Sequence, residues 1–420
     1  MPLSILLASI GSSGDVNPVV GLGIALRARG HRVTLATNEL FEPLVRDCGL
    51  EFAALGTREE AQKMMDDPHL WHRYRGFPCI IRGAILPNIR RLYRIIEERA
   101  GDSTVVAATT LCLGARLAQE KLVVPTATLH LQPSVFRSHV DNGHLGGLDM
   151  GPGMPRIVKK AAFWIMDTLV VDRLIGPGLN TYRAELGLAP AKRIFASQIH
   201  SPELVLGLFP DWFAPIQPDW PPNTHLTGFI LQDSGGKPLD HAEADRFLDQ
   251  GAAPVLITPG SAATDRTRFF AHMVEACRAT GQRAMLVTNH PGQLPRELPP
   301  GVRAFPYVPF SRVLPRCRAI VYHGGIGTLA QAIRAGIPQV VVANAHDQPD
   351  NGRRIERLGL GVSLDEHRFG VREATDALRT ATGSREILDR CRQFSSKVDS
   401  EAACLRACAL IEALAPGRSP

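Results

Sequence analysis

The sequence is poor in the residues that hold metal clusters or disulfide frameworks together. Its eight cysteines are scattered over 420 residues without a Cys-x-x-Cys pair, which excludes a zinc ribbon or a disulfide-rich scaffold. Cys404 and Cys408 stand four residues apart on an expected helix, a spacing that favours packing over metal ligation. This cysteine usage is typical of a reduced, cytoplasmic protein.

Long apolar runs and concentrated charge are also missing. The nearest candidate for a membrane span, residues 161–171, is interrupted by Asp167 and lies between Lys160 and Asp172, so no spanning helix is expected. The chain begins as an apolar strand without a basic region before it, which argues against a signal peptide. The net charge of +6 comes from dispersed basic residues. It therefore predicts a surface suited to anionic small molecules or lipid headgroups rather than to nucleic acid.

The length and the order of apolar segments predict two α/β domains. Hydrophobic residues are 45% and charged residues 21% of the chain, as in globular proteins. Two arrays of alternating strands and helices are separated by residues 209–222, which hold five prolines and predict a stiff boundary. We therefore expect two Rossmann-like, doubly wound domains facing a cleft, at 1–215 and 216–400. A C-terminal helix, 401–420, would pack back toward the first domain.

The first strand and its turn do not have the pattern of a dinucleotide-binding fold. Residues 3–10 read as a buried strand, and Gly11-Ser12-Ser13-Gly14 as a tight turn. Asn17 would cap the following helix, with Pro18 at its first position. The run Gly-Ser-Ser-Gly-Asp-Val-Asn-Pro departs from Gly-x-Gly-x-x-Gly, so an NAD site is disfavoured.

The most informative stretch is residues 319–355. It predicts a strand, Ala319–Tyr322, a glycine-rich turn at 323–328, a helix up to Ala335 and a second strand, Gln339–Ala343. Glycine lets the backbone approach a phosphate closely, and the free N–H groups of the helix N-terminus would face it. Asp347 and Gln348 follow the second strand, where a parallel sheet presents ligand-binding residues. An ordinary βαβ turn without a ligand is the alternative.

Three motifs in this stretch resemble the nucleotide-sugar signature of the family 1 glycosyltransferases. They are His-Gly-Gly-x-Gly-Thr at 323–328, Gly-x-Pro at 336–338 and Asp-Gln at 347–348. The resemblance covers nearly the whole chain and implies the GT-B fold, with the acceptor in the N-terminal half and the nucleotide sugar in the C-terminal half. The Asp-x-Asp motif that bridges a metal in the other common glycosyltransferase fold is missing. The resemblance thus implies a metal-independent enzyme without a cofactor.

The same resemblance assigns residues to the donor. The diphosphate would be held by five residues: Ser261, His323, Gly324, Gly325 and Thr328. Gly327 of the same turn also belongs to the donor site. Asp347 and Gln348 would take the hydroxyl groups of the sugar, and His346 lies beside them in the donor site. Tyr307-Val308-Pro309 matches a Trp-x-Pro motif, so Tyr307 would stack on the base. Gln331 stands where relatives that use UDP often carry Glu, and a Gln is a poorer acceptor for two ribose hydroxyls, which favours a deoxyribose donor such as a dTDP-sugar.

Asp15 is the expected general base. The family places its base, usually His, in Gly-His-x-x-Pro after the first strand, and this chain has Gly-Asp-Val-Asn-Pro at 14–18. The alternative is that Asp15 only caps the following helix. A helix N-terminus would lower its pKa, whereas burial would raise it. Thr109 stands where relatives carry an Asp that orients the base, so Asp15 would act directly, by in-line attack with inversion.

Further stretches, at 67–71, 113–121, 192–202, 209–220 and 225–229, resemble the catalytic chain of the bacterial rhamnosyltransferases of rhamnolipid synthesis. They imply transfer of L-rhamnose from dTDP-L-rhamnose to a hydroxyacyl lipid, in the cytoplasm or peripherally at the inner membrane. The helix expected at 155–173 would be a core helix or an apolar wall for such an acceptor. Two alternatives stay open: a UDP- or dTDP-sugar glycosyltransferase acting on a macrolide, sterol or carotenoid, and a non-catalytic sugar-nucleotide-binding partner.

Overall fold

A computed structural model describes residues 2–145, 148–233, 242–260 and 266–415. The chain divides into two compact units. The first comprises Met1–Leu70, Tyr74–Gly236 and Asp399–Pro420, and the second comprises Trp71–Arg73 and Lys237–Val398. Each unit is built around its own parallel sheet, with helices between most successive strands.

The first unit contains a seven-stranded parallel sheet and a separate antiparallel pair, β6 and β7. The strands are β1 (Ser4–Ala8), β2 (Arg32–Thr37), β3 (Glu51–Ala54), β4 (Thr104–Thr109), β5 (Thr126–His130), β6 (His144–Leu145), β7 (Leu148–Asp149), β8 (Leu204–Gly207) and β9 (Thr224–Leu226). In the large sheet the order is β3-β2-β1-β4-β5-β8-β9. Every residue of β4 and β5 is buried, as expected for central strands covered by helices on both faces.

Helices connect these strands. They are α1 (Ser13–Ala28), α2 (Glu42–Asp47), α3 (Arg58–Met65), α4 (Gly76–Ile80), α5 (Leu86–Glu97), α6 (Leu113–Leu122), α7 (Arg156–Ile165), α8 (Asp172–Glu185) and α9 (Ile194–Ser197). A π-helical turn joins α4 to α5 at Ile81–Ile85, and another joins α7 to α8 at Met166–Val171. The helix expected at 155–173 therefore continues to Glu185.

The start of α1 corrects a sequence prediction. The helix begins at Ser13, with Ser12 as its extended N-cap, and not after Asn17. The Ser12 N–H donates to the Asp15 side chain at 2.8 Å, which satisfies an otherwise orphaned donor at the helix start. Pro18 consequently lies inside the helix, where it leaves one backbone carbonyl without its helical partner.

The second unit contains a six-stranded sheet whose neighbours are all parallel. Its elements are α10 (Ala242–Asp249), β10 (Val255–Thr258), α11 (Thr267–Thr280), β11 (Ala284–Val287), β12 (Val302–Phe305), α12 (Phe310–Val313), β13 (Ala319–Tyr322), α13 (Ile326–Ala335), β14 (Gln339–Ala343), α14 (Gln348–Arg357), β15 (Gly361–Asp365), α15 (Val371–Gly383) and α16 (Arg385–Ser395). The strand order is β12-β11-β10-β13-β14-β15.

Both sheets have a point at which the strand order reverses. In the first unit it lies between β1 and β4, and in the second between β10 and β13. Ligands of open α/β sheets bind outside the carboxyl ends of the strands at such points. Asp15 follows β1 and His323 follows β13, so both predicted centres lie at these reversals. The predicted fold class, two Rossmann-like α/β units, is confirmed.

The last helix, α17 (Ser400–Ala413), belongs to the first unit. Its Glu412 accepts from Arg29 Nε at 2.6 Å and lies 2.8 Å from His31 Nε2, just after α1.

The units divide at 236/237, so the proline-rich stretch at 209–222 lies inside the first unit instead of forming a boundary at 215/216. The reason is that β9, after the prolines, still pairs with β8. Among the described residues, no helix combines the length and apolar character needed to cross a membrane.

Candidate active site

In the second unit, the glycine-rich turn connects β13 directly to α13. Gly324 has a φ of 94°, a left-handed conformation that favours glycine. A Cβ there would lie 2.8 Å from Val341 Cγ1 on the neighbouring strand. Gly325 is the N-cap of α13, and the first helical bond runs from Leu329 N–H to its carbonyl. The N–H groups of the first helical turn therefore lack helical acceptors and, with the positive end of the helix dipole, suit an anion.

The His323 ring is held between two glycines. A Cβ at Gly260, after β10, would lie 2.6 Å from His323 Cε1, and a Cβ at Gly325 would lie closer still to Nε2. Burial, together with the positive charge of Arg266, lowers the pKa of His323 to about 4. The imidazole is therefore neutral at pH 7, and one of its nitrogens donates. Its Nδ1 is enclosed and has no hydrogen-bond partner within the described part of the chain.

A buried asparagine links this turn to the predicted sugar-binding residues. Asn351, which is fully buried, donates from Nδ2 to the Gly324 carbonyl at 2.9 Å and to Asp347 Oδ2 at 2.7 Å. Asp347 is half-buried. The carboxylate is thus fixed beside the glycine-rich turn. The sequence analysis named the Asp-Gln pair but assigned no role to Asn351. Its spacing of four residues from Asp347, one helical turn, could have indicated that the two side chains lie together.

Gln348 is engaged by the backbone of its own loop. Its Oε1 accepts from the N–H groups of Asn344 at 3.0 Å and Ala345 at 3.2 Å. Any bond from this side chain to a sugar would therefore come from its amide nitrogen. His346 is exposed and has a left-handed φ of 60°, uncommon for a residue with a side chain.

The other predicted donor residues are spread along the same unit. Thr328 and Gly327 lie half-buried in the first turn of α13, and Gln331 is buried one turn later. Tyr307 is half-buried and Val308 buried, after the edge strand β12, so the stacking role of Tyr307 stays a prediction. Ser261 lies outside the described residues.

In the first unit, Asp15 caps α1 and is also enclosed. Its Oδ2 accepts from the Ser12 N–H and, at 3.2 Å, from Ser12 Oγ. Gly11, with a φ of 145°, packs so tightly against the carboxylate that a Cβ would overlap it. Burial raises the pKa of Asp15 above its ordinary value, against the lowering effect of the two Ser12 bonds. The capping role proposed as an alternative is thus present, together with a raised pKa that would favour a general base.

A buried hydrogen-bonded chain, which sequence reasoning missed, lies at the neighbouring strand ends. Thr110 Oγ1 is 2.8 Å from His130 Nδ1, and His130 Nε2 is 2.9 Å from His200 Nδ1. Phe136 stacks on His200 with ring centroids 5.7 Å apart. Burial and the neighbouring His200 lower the pKa of His130 well below its ordinary value. Burial, with the charges of Arg137 and Arg116, lowers the pKa of His200 to about 4. Both imidazoles are therefore neutral at pH 7.

The glycine-rich turn at the start of α13 suits an anion, and the carboxylate of Asp347 beside it suits hydroxyl groups. Residues 5–137 match the glycosyltransferase family 28 N-terminal domain, and residues 282–407 match the erythromycin biosynthesis protein CIII-like C-terminal domain. The chain is 31% identical over 430 residues to the O-mycaminosyltylonolide 6-deoxyallosyltransferase of Streptomyces fradiae, covering 99% of each chain. The chain therefore belongs to the GT-B glycosyltransferases, and the predicted enzyme class is confirmed.

Solved structures show the same fold. The glycosyltransferase of kitacinnamycin matches with a TM-score of 0.73 and 20% identity, over 99% of this chain and 100% of that one. The spinosyn rhamnosyltransferase in complex with thymidine diphosphate matches with a TM-score of 0.67 and 19% identity, over 96% and 99%. The GT-B fold predicted from the sequence is thus confirmed.

The neutral histidine pair predicts acid-sensitive stability. Well above pH 6.5 these histidines are neutral in both the folded and the unfolded chain. Below about pH 6.5 the unfolded chain binds protons, whereas folded His200 does not bind its proton until about pH 4. The free energy of unfolding should therefore fall across this window, by about 2 to 3 kcal/mol from His200 alone. Chemical unfolding at pH 6.5 and 4.5 should show a smaller fall for His200→Gln. The control His225→Gln, at an exposed position, should keep the wild-type fall; equal falls in all three proteins would contradict the account.

Proposed function

We propose that this protein is an inverting glycosyltransferase that moves L-rhamnose from dTDP-L-rhamnose to the hydroxyl of a hydroxyacyl lipid. The observation that carries the donor assignment is Asn351, which joins Asp347 to the Gly324 carbonyl. A group that binds hydroxyls and a group that binds phosphate are thereby held in one rigid arrangement. A nucleotide sugar needs both features side by side.

The proposed reaction is a single displacement. Asp15 takes the proton of the acceptor hydroxyl, and the oxygen attacks the anomeric carbon on the side opposite the diphosphate. The bond from that carbon to the phosphate oxygen breaks, and its electron pair leaves with dTDP. The N–H groups at the start of α13 and a donor from neutral His323 stabilise the departing charge. The raised pKa of Asp15 makes it a stronger base than an exposed aspartate.

The nucleotide is assigned from Gln331 and from the relatives. Gln331 is buried in the second turn of α13, and its single amide oxygen suits a sugar that lacks one of the two ribose hydroxyls. The solved rhamnosyltransferase that resembles this chain was crystallised with thymidine diphosphate. Both observations support a dTDP-sugar as the donor.

The acceptor has two candidates. The stretches at 67–71, 113–121 and 192–202 resemble rhamnosyltransferases of rhamnolipid synthesis and support a hydroxyacyl lipid. The relative that is 31% identical is named for transfer to O-mycaminosyltylonolide, which favours a macrolide as the second candidate. Product formation on 3-hydroxyacyl lipids, compared with that on macrolide aglycones, separates the two.

Association with the inner membrane surface is part of the proposal. Ile157, Trp164 and Leu169, along α7 and the turn after it, are exposed, and Arg156 and Lys160 on the same helix are exposed as well. Exposed apolar and basic residues together suit an anionic bilayer surface.

Co-sedimentation with phosphatidylglycerol vesicles tests this association. It should be reduced in Trp164→Glu and kept at the wild-type level in Trp212→Glu, a change at a half-buried tryptophan. Equal co-sedimentation of both variants with wild type would remove this part of the proposal.

Asp15→Asn tests the catalytic assignment. An asparagine keeps an acceptor for the Ser12 N–H but cannot take a proton, so turnover of dTDP-L-rhamnose should fall about 100- to 10,000-fold. Calorimetric affinity for dTDP should stay unchanged, because Asp15 lies in the other unit. Asp102→Asn, at an exposed position, is the matched control and should keep full turnover.

The opposite result is equally informative. Full turnover in Asp15→Asn would show that Asp15 only caps α1. Tight dTDP binding by a wild-type protein that transfers no sugar to either acceptor class would favour the non-catalytic partner.

A further inference from the structure

A short piece of the first half of the chain belongs to the second unit. Leu70 and Tyr74 are part of the first unit, whereas Trp71–Arg73 groups with residues 237–398. The sequence gives no periodic signal for this exchange, since the piece lies between α3 and α4.

Trp71 is attached to the loop after β14 by two contacts. Its carbonyl accepts from Asn344 Nδ2 at 3.0 Å. Its half-buried ring meets the His346 ring edge-on, with centroids 5.5 Å apart and planes at 68°. Asn344 also donates its backbone N–H to Gln348 Oε1. The loop from 344 to 348 is thus held by Trp71 on one side and by its own glutamine on the other.

The loop needs such support because one of its residues is strained. His346 has a φ of 60°, and the left-handed region is sterically unfavourable for a residue with a side chain. Such a conformation persists only when the surroundings fix it. The edge-on ring contact and the Asn344 bond provide that fixation, directly before Asp347.

We infer that Trp71 is a positioning residue of the donor site, which sets the loop bearing His346, Asp347 and Gln348 for the sugar. This inference rests on the proposed function, because it takes that loop as the sugar-binding side. The two contacts of Trp71 described above are made with Asn344 and His346, whereas the proposed diphosphate seat is the turn at His323–Gly325. Trp71 should therefore matter for the sugar and not for the nucleotide.

Calorimetric titration of the full chain with dTDP and, separately, with dTDP-L-rhamnose tests this inference. Aromatic pairs contribute about 0.5–1.5 kcal/mol beyond their area, so Trp71→Ala should weaken dTDP-L-rhamnose about 3- to 10-fold. Its affinity for dTDP should stay at the wild-type value. Trp71→Phe keeps a ring and should lie between the two. Asn344→Ala removes the bond to the Trp71 carbonyl and should show the same selective loss.

Leu405→Ala, at an exposed leucine of α17 in the first unit, is the control and should bind both ligands as wild type does. Equal weakening of dTDP and dTDP-L-rhamnose in Trp71→Ala, or no weakening of either, would overturn the inference and leave the proposed function standing. A wild-type protein that binds neither ligand would overturn both. Thermal unfolding of each variant confirms that it is folded.

Discussion

The donor site depends on a steric constraint: the His323 imidazole fills the space that side chains at Gly260 and Gly325 would need. Because the ring is held from both sides, its position is fixed before a ligand arrives, and no reorganisation is needed when charge develops. The same turn leaves the start of α13 open to an anion. Asn351 then transmits this fixed geometry to Asp347 through two hydrogen bonds.

Burial sets the protonation states on which the chemistry rests. In the second unit it keeps His323 neutral, with a pKa of about 4. In the proposed reaction the helix N-terminus and hydrogen-bond donors, rather than a positive imidazole, would therefore meet the diphosphate. In the first unit burial raises the pKa of Asp15, while the Ser12 bonds keep the carboxylate in place. The same desolvation thus lowers the pKa of an imidazole in one unit and raises the pKa of a carboxyl in the other.

The sequence predicted the parts of this structure that depend on local periodicity. β13 and β14 have the bounds expected from their apolar runs, because buried parallel strands are continuous apolar segments between turn residues. Contacts between distant segments were not predictable. α1 begins at Ser13 and not after Asn17, because the Ser12 N–H bonds to the Asp15 side chain. The first unit extends beyond the prolines because β9 pairs with β8. Trp71 groups with the second unit, where it contacts Asn344, a residue remote in sequence.

The central claim is that the second unit holds a preformed seat for a deoxyribonucleotide sugar. It is tested most directly by calorimetric titration of the wild-type protein with dTDP and with UDP, in a buffer containing EDTA. The account predicts binding of dTDP, with UDP weaker because Gln331 cannot accept well from both ribose hydroxyls. Tighter binding of UDP would contradict the dTDP assignment, and binding of neither nucleotide would contradict the donor site itself.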